Sequence, residues 1–282
     1  VPASIRARLV RLTAAVVTAA PVAVLGATTP HTATAAGPAP TVTARLWEPP
    51  TDLEPLDAAL DQRRTKPVRL VFLGSSTTQG LGASDPARAY AAQVVSRLSL
   101  VKPTYGVADS TVALGAAPTA SKGIEGFNGG QGGTWVGNYL SDAALQSIAA
   151  TRPACVFHMI GSNDSVLGVS PATYESYLRA NLARIDRAVD TPVCHVLVHT
   201  FRRDGVAPEV WAEFGTALDR IDASHPRAFA VDASRVFARR GVPGADPFGL
   251  LAADGVHPSD AGHALLARVA VGRVAKRLAL TR

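Results

Sequence analysis

The chain has 282 residues, of which 47% are hydrophobic and 18% charged. That apolar content builds a sizeable core and excludes global disorder, and the length suits one large α/β domain or two small ones. The formal net charge is +6, but no Lys/Arg cluster is interleaved with aromatic residues, so no nucleic-acid partner is expected.

The chain opens on a basic stretch, Arg6, Arg8 and Arg11, followed by an apolar, Ala/Val-rich run over 12–27. Ala33-Thr34-Ala35 and Thr34-Ala35-Ala36 are small-residue cleavage sites. Together these predict a signal peptide over 1–36, a mature chain beginning at Gly37, and a secreted or extracytoplasmic protein. The apolar run is short for a membrane span and Pro21 interrupts it, which favours cleavage over a retained anchor. No other segment is apolar for long enough to span a bilayer. Residues 37–50, rich in Pro, Ala and Thr, read as a linker. Residues 51–282 show no internal repeat and read as a single domain.

Leu53, Leu56, Ala59 and Leu60 share one face of a helix expected over 53–64. The apolar run 68–73 is a buried parallel strand, ending at the small-residue turn Gly74-Ser75-Ser76-Thr77-Thr78-Gln79-Gly80. Pro86 opens a helix to about residue 100. From 106 to 137 glycines recur, culminating in Phe127-Asn128-Gly129-Gly130-Gln131-Gly132-Gly133-Thr134-Trp135. The expectation here is a loop rather than a strand or helix interior, with the next helix starting at residues 135–140. A second strand over 154–160 ends at Gly161-Ser162-Asn163-Asp164. An amphipathic helix follows over 174–189, with Tyr174, Tyr177, Leu178, Leu182, Ile185 and Val189 on its apolar face. Then come a strand over 192–200, a helix over 208–223, a strand over 228–232, and a last helix that Ser259 caps and that runs to about 280. Alternating strands and helices predict an α/β fold, a parallel sheet of about five strands with helices on both faces. The two cysteines, Cys155 and Cys194, both fall in strands. Export permits a disulfide, but small buried apolar residues are the favoured reading.

Polar turns at the carboxyl ends of parallel strands are where α/β sheets bind ligands. By itself the first turn suits a serine nucleophile, a phosphate cradle of the flavodoxin FMN type, or an ordinary βα turn. The rest of the chain supplies the parts of acyl transfer: a nucleophile, a base, an orienter for the base and oxyanion donors. Ser76 is the candidate nucleophile and His257 the base. Asp254, three residues before it, can reach the far imidazole nitrogen. The N–H groups of Ser76 and Gly133 and the side-chain amide of Asn163 are candidate donors to a developing oxyanion.

At these residues the chain resembles the SGNH (GDSL-type) hydrolase superfamily. Four blocks carry the resemblance in order: Gly74-Ser75-Ser76-Thr77-Thr78-Gln79-Gly80, Asn128-Gly129-Gly130-Gln131-Gly132-Gly133, Gly161-Ser162-Asn163-Asp164 and Asp254-Gly255-Val256-His257-Pro258. The resemblance implies a flavodoxin-like three-layer α/β/α fold and an esterase or acyl-hydrolase with nucleophile Ser76, oxyanion donors Ser76, Gly133 and Asn163, and base pair His257 with Asp254. Ser75 stands where the family usually has Asp. Aligning on Ser75 as nucleophile instead puts Thr78 and Gly80 one residue late, which favours Ser76. Gly130 or Gly132 takes the place of Gly133 if the glycine block is shifted, and Asp232 is an alternative partner for His257. His199 ends a strand and either lines the site or is a core histidine; His158 and His195 read as structural, and His263, six residues after His257, does not share its helical face. No His/Asp/Glu set has metal-ligand spacing, and neither metal nor cofactor is expected. The expected substrate is a small-molecule, lipid or acylated-glycan ester, and the expected state a monomer. The rival readings are an acyltransferase onto a sugar or lipid hydroxyl, and a non-catalytic flavodoxin-like protein that binds FMN or a glycan.

Overall fold

A computed structural model describes residues 51–103 and 106–279. The predicted signal peptide and linker lie outside the described residues. Six strands form one all-parallel sheet: β1 (Pro67–Gly74), β2 (Ser110–Ala113), β3 (Gly123–Gly130), β4 (Cys155–Met159), β5 (Cys194–His199) and β6 (Ala228–Asp232), in the spatial order β2-β3-β1-β4-β5-β6. The helices are α1 (Glu54–Gln62), α2 (Ser76–Gln79), α3 (Tyr90–Leu98), α4 (Asp142–Thr151), α5 (Ser162–Val166), α6 (Pro171–Ala188), α7 (Pro208–Ser224), α8 (Ser234–Ala238) and α9 (Asp260–Ala279). Among the described residues, no helix is long and apolar enough to cross a membrane.

The strands bury both faces, so successive side chains feed two cores. Leu70, Phe72, Phe157 and Val196 pack with Tyr90, Val94 and Leu98 of α3 and Leu266, Ala270 and Val274 of α9. Val71, Leu73, Val156 and Leu197 pack on the other side with Ile148 of α4, Leu178, Leu182 and Ile185 of α6, and Trp211 and Phe214 of α7. This is the expected three-layer α/β/α arrangement, with six strands where about five were expected. Tyr177, placed on the apolar face of α6 by sequence, is exposed.

Three expectations are corrected. The glycine-rich segment is not all loop: residues 123–130 form β3, paired along its whole length with β1. Glycine usually weakens a strand, but here it admits close neighbours. A Cβ on Gly130 would overlap the Thr78–Gln79 backbone, so glycine at this position lets α2 lie directly against the carboxyl end of β3. Gly130→Ala is therefore expected to destabilise the fold by about 1–3 kcal/mol, the usual range for overpacking, read as a lowered midpoint in thermal or urea unfolding. Second, residues 135–140 make turns rather than a helix, and α4 begins only at Asp142, where Ser141 caps it by accepting from Ala144 N–H. Third, Cys155 and Cys194 are buried, as expected, but also bonded to each other. They are register partners on β4 and β5, with Cα atoms 4.5 Å apart. Both side chains face the α3/α9 core.

Candidate active site

The polar turns of β1 and β4 emerge at the same end of the sheet because all strands are parallel. β1 runs into Ser75, and Ser76 is the first residue of α2. Ser75 is buried, whereas Ser76 is half-exposed. The loop after β3 folds back over this turn: the carbonyl of Gly74 accepts from Gln131 N–H (3.0 Å) and from the Thr134 hydroxyl (3.3 Å). A Cβ built on Gly132 would stand 4.0 Å from the Ser76 Cβ, which places this glycine loop against the serine.

His257 arrives from the loop before α9. Its Nε2 lies 2.9 Å from Ser76 Oγ, and its Nδ1 lies 2.6 Å from Asp254 Oδ2. The other Asp254 oxygen accepts the backbone N–H groups of Val256 (2.8 Å) and His257 (2.9 Å). The carboxylate thus closes its own loop and orients the ring at once. Gly255 makes this closure possible with φ +65°, a conformation that side-chain-bearing residues rarely adopt. The hydrogen bond from the His257 ring, helped by the two backbone N–H groups, lowers the Asp254 pKa to about 2. Asp254 therefore stays ionised in all but strong acid. Its contribution to loop order is present above the ordinary carboxylate range and is lost as pH falls towards 2.

Asn163, the second residue of α5, donates from Nδ2 to Thr134 O at 2.8 Å. Its buried neighbour Asp164 accepts from Val136 N–H at 2.9 Å. Both side chains of the Gly-Ser-Asn-Asp turn therefore grip the loop that carries Gly133. Gly132 N–H is taken by Gln79 Oε1 (2.9 Å) and Gly130 N–H by Asn128 Oδ1 (3.0 Å). Among the described residues the backbone N–H groups of Ser76 and Gly133 have no acceptor. That leaves Gly133, rather than Gly130 or Gly132, with a free donor.

The alternatives raised by sequence lie elsewhere. Asp232 receives hydrogen bonds from Ser234 and pairs with Arg235 at 3.1 Å, not with His257. His199 is buried against the Trp211 ring, centroids 4.4 Å apart, and lines a separate cavity of about 500 Å³ between α7 and α8. Burial lowers its pKa to about 4. His158 on β4 and His195 on β5 are buried, and burial pushes both ring pKa values down.

Sequence reasoning passed over two positioning residues. His263 Nε2–H donates to Leu81 O (3.0 Å), while its Nδ1 accepts Tyr90 N–H (3.2 Å). Asp260 accepts from Ser84 N–H (2.8 Å) and the Ser84 hydroxyl (2.6 Å). Together they clamp the segment after Ser76 to the helix after His257, holding nucleophile and base in register over 181 residues of chain.

The sequence model of the GDSL-like lipase/acylhydrolase family matches residues 72–265, well over half of the chain and all four polar blocks. The chain belongs to this family. It is a carboxylic ester hydrolase of the GDSL type. A search of curated proteins returned no match. Among solved structures, an acetylxylan esterase from Geobacillus stearothermophilus, Axe2, is 26% identical with a TM-score of 0.53, the match covering 76% of this chain and 96% of that one. The structure of TesA is 21% identical with a TM-score of 0.55, covering 74% and 99%. The lipase Lip_vut3 from a goat rumen metagenome is 15% identical with a TM-score of 0.55, covering 74% and 97%. The latter two likenesses concern the fold. Membership of this GDSL family supports an ester hydrolase over a non-catalytic flavodoxin-like protein that binds FMN or a glycan.

Proposed function

We propose that this GDSL hydrolase cleaves esters through an acyl-enzyme on Ser76. The observation that carries the proposal is the unbroken hydrogen-bond chain Ser76 Oγ–His257 Nε2 and His257 Nδ1–Asp254. In the first half-reaction neutral His257 takes the Ser76 proton as Oγ bonds to the ester carbonyl carbon. The carbonyl oxygen becomes an oxyanion, received by the N–H groups of Ser76 and Gly133 and the remaining Nδ2 hydrogen of Asn163. The imidazolium, stabilised by Asp254, then gives its proton to the departing alcohol oxygen as the carbon–oxygen bond breaks. In the second half-reaction water gives a proton to His257 as its oxygen bonds to the acyl carbon, and the imidazolium returns that proton to Ser76 Oγ as the acyl–Oγ bond breaks, releasing the acid. Ser76 and His257 are half-exposed and Asp254 is exposed, so water has access to the acyl-enzyme. That favours hydrolysis over transfer to a sugar or lipid hydroxyl.

For the substrate we favour a short-chain ester of a polyhydroxylated alcohol. A cleft of about 950 Å³ borders the serine turn at Gln79, Gly80 and Gly130 without including Ser76 or His257 in its lining, which carries Ser84, Ser96, Asn128 and the carboxylates of Asp85 and Asp109 but no Lys, Arg or aromatic residue. Its serine, threonine and asparagine side chains offer hydrogen bonds to hydroxyl-rich groups, and its two carboxylates disfavour an anionic headgroup. The likeness to an acetylxylan esterase points the same way. A series of aryl esters from acetate to octanoate tests this: the rate is expected to fall with chain length, and a maximum at octanoate contradicts it. The same assay tests the base. Activity should rise with pH to a plateau, because only neutral imidazole accepts the serine proton. Asp254 stays ionised to about pH 2, so a loss of activity well above that pH reports the imidazole and not the carboxylate.

The basic, apolar and small-residue pattern of residues 1–36 supports export of the enzyme to such substrates. Secreted material beginning at Ala36 or Gly37 on N-terminal sequencing is the expected result; an intact N-terminus in the membrane fraction opposes it.

A further inference from the structure

We propose that Asp186, His195 and His225 form a binding site for one borderline divalent cation, zinc(II) by preference, at the end of the sheet opposite Ser76. Asp186 lies near the end of α6, His195 is the second residue of β5, and His225 follows α7 directly before β6. All three stand at the amino ends of strands whose carboxyl ends face the catalytic side.

The donor atoms are already close to the geometry such an ion needs. His195 Nε2 is 3.3 Å from Asp186 Oδ1, His225 Nε2 is 3.0 Å from Asp186 Oδ2, and the donor atoms of the set lie within 4.8 Å of one another. A tetrahedral zinc with bonds of about 2.0–2.2 Å has ligand–ligand edges of about 3.4 Å. The two imidazole nitrogens approach different oxygens of the Asp186 carboxylate, each at a separation within a few tenths of an ångström of that edge. Two imidazoles and a carboxylate suit zinc, cobalt, nickel or copper, and not magnesium or calcium, which require more oxygen ligands.

Support behind the ligands is also present. His195 Nδ1 stands 3.0 Å from His158 Nε2, and His158 Nδ1 stands 3.0 Å from the Tyr139 hydroxyl, all three side chains being buried. Metal-bound imidazoles hold their second nitrogen in this way. Without metal, the hydrogens run from Tyr139 through His158 and His195 to the Asp186 carboxylate. With metal on His195 Nε2 they run in reverse: His195 Nδ1–H donates to His158 Nε2, and His158 Nδ1–H donates to the Tyr139 oxygen. The change is one of tautomer, and no proton need leave the site. Two features oppose the ion. Arg227 Nη2 sits 3.1 Å from Asp186 Oδ1, and Arg227 N–H donates to His225 Nδ1 at 3.3 Å, a bond that metal loading breaks. His225 is partly exposed, so its displaced Nδ1–H turns to water. The ion would bind α6, β5 and the α7–β6 junction together, away from the chemistry.

Untagged full-length protein, stripped with chelator, is titrated with cobalt(II) and then zinc(II), followed by visible absorption, calorimetry and thermal unfolding. The expected result is one saturable site with the intense visible bands of four-coordinate cobalt, displacement by zinc, a raised unfolding midpoint and no response to magnesium. His225→Ala should remain folded, keep its esterase rate and lose at least tenfold in metal affinity. Arg227→Gln should bind metal more tightly although its metal-free form unfolds earlier, because it removes a competing cation. His257→Ala should bind as the unaltered protein does, which excludes the catalytic pair as the ligand set. No saturable cobalt binding, or equal binding by His225→Ala, overturns the proposal.

Discussion

His257→Ala is expected to abolish nearly all esterase activity, with a fall in kcat of about 10⁶-fold and little change in KM. Among the described residues the imidazole is the only side chain hydrogen-bonded to Ser76 Oγ that can take its proton, at 2.9 Å. Ser76→Ala should cost as much, and the double variant no more than either alone, because nucleophile and base act as one unit. Asp254→Asn should cost less, roughly 10⁴-fold. The carboxylate fixes the tautomer and steadies the imidazolium but does not touch the substrate. It also holds its own loop through Val256 and His257 N–H, so the variant must be compared at matched folding by circular dichroism. Full activity in folded His257→Ala removes the base from the mechanism.

Asn163→Ala is expected to lower kcat by about 10²–10³-fold while KM moves little. One Nδ2 hydrogen is spent on Thr134 O, which fixes the amide, and the other is free for an oxyanion. A donor used only when charge develops on the carbonyl oxygen affects the transition state and not ground-state binding. Steady-state kinetics separates the outcomes, since a raised KM with unchanged kcat makes Asn163 a substrate-binding residue. The fixed amide also means that Thr134 and Asp164, through the glycine loop, set the precision of the site.

The elements that carry chemistry were legible because their signals are local. A strand followed by a small polar turn, or a carboxylate three residues before a histidine with glycine between, announces itself within a few residues. The parts that were not legible depend on what lies across the sheet. Strand β3 hides behind its glycines, whose purpose appears only when α2 is seen lying on Gly130. The Cys155–Cys194 bond requires that two strands 39 residues apart share a register. His195 reads as a strand histidine until Asp186 and His225, from two other elements, are placed beside it. His263 illustrates a subtler case. Its place on α9 was correctly separated from His257, but its contacts are with Leu81 and Tyr90, which no spacing along the chain reveals.

The most direct test of the account is the site of covalent capture. A serine-directed organophosphonate reacts with the nucleophile that the base activates, and peptide mapping by mass spectrometry locates the adduct. Ser75 and Ser76 are adjacent, but only Ser76 is half-exposed and within reach of His257, whereas Ser75 is buried. A single adduct on Ser76, formed in parallel with loss of activity and absent from His257→Ala, is the predicted result. An adduct on Ser75, or complete inactivation with Ser76 unmodified, contradicts it.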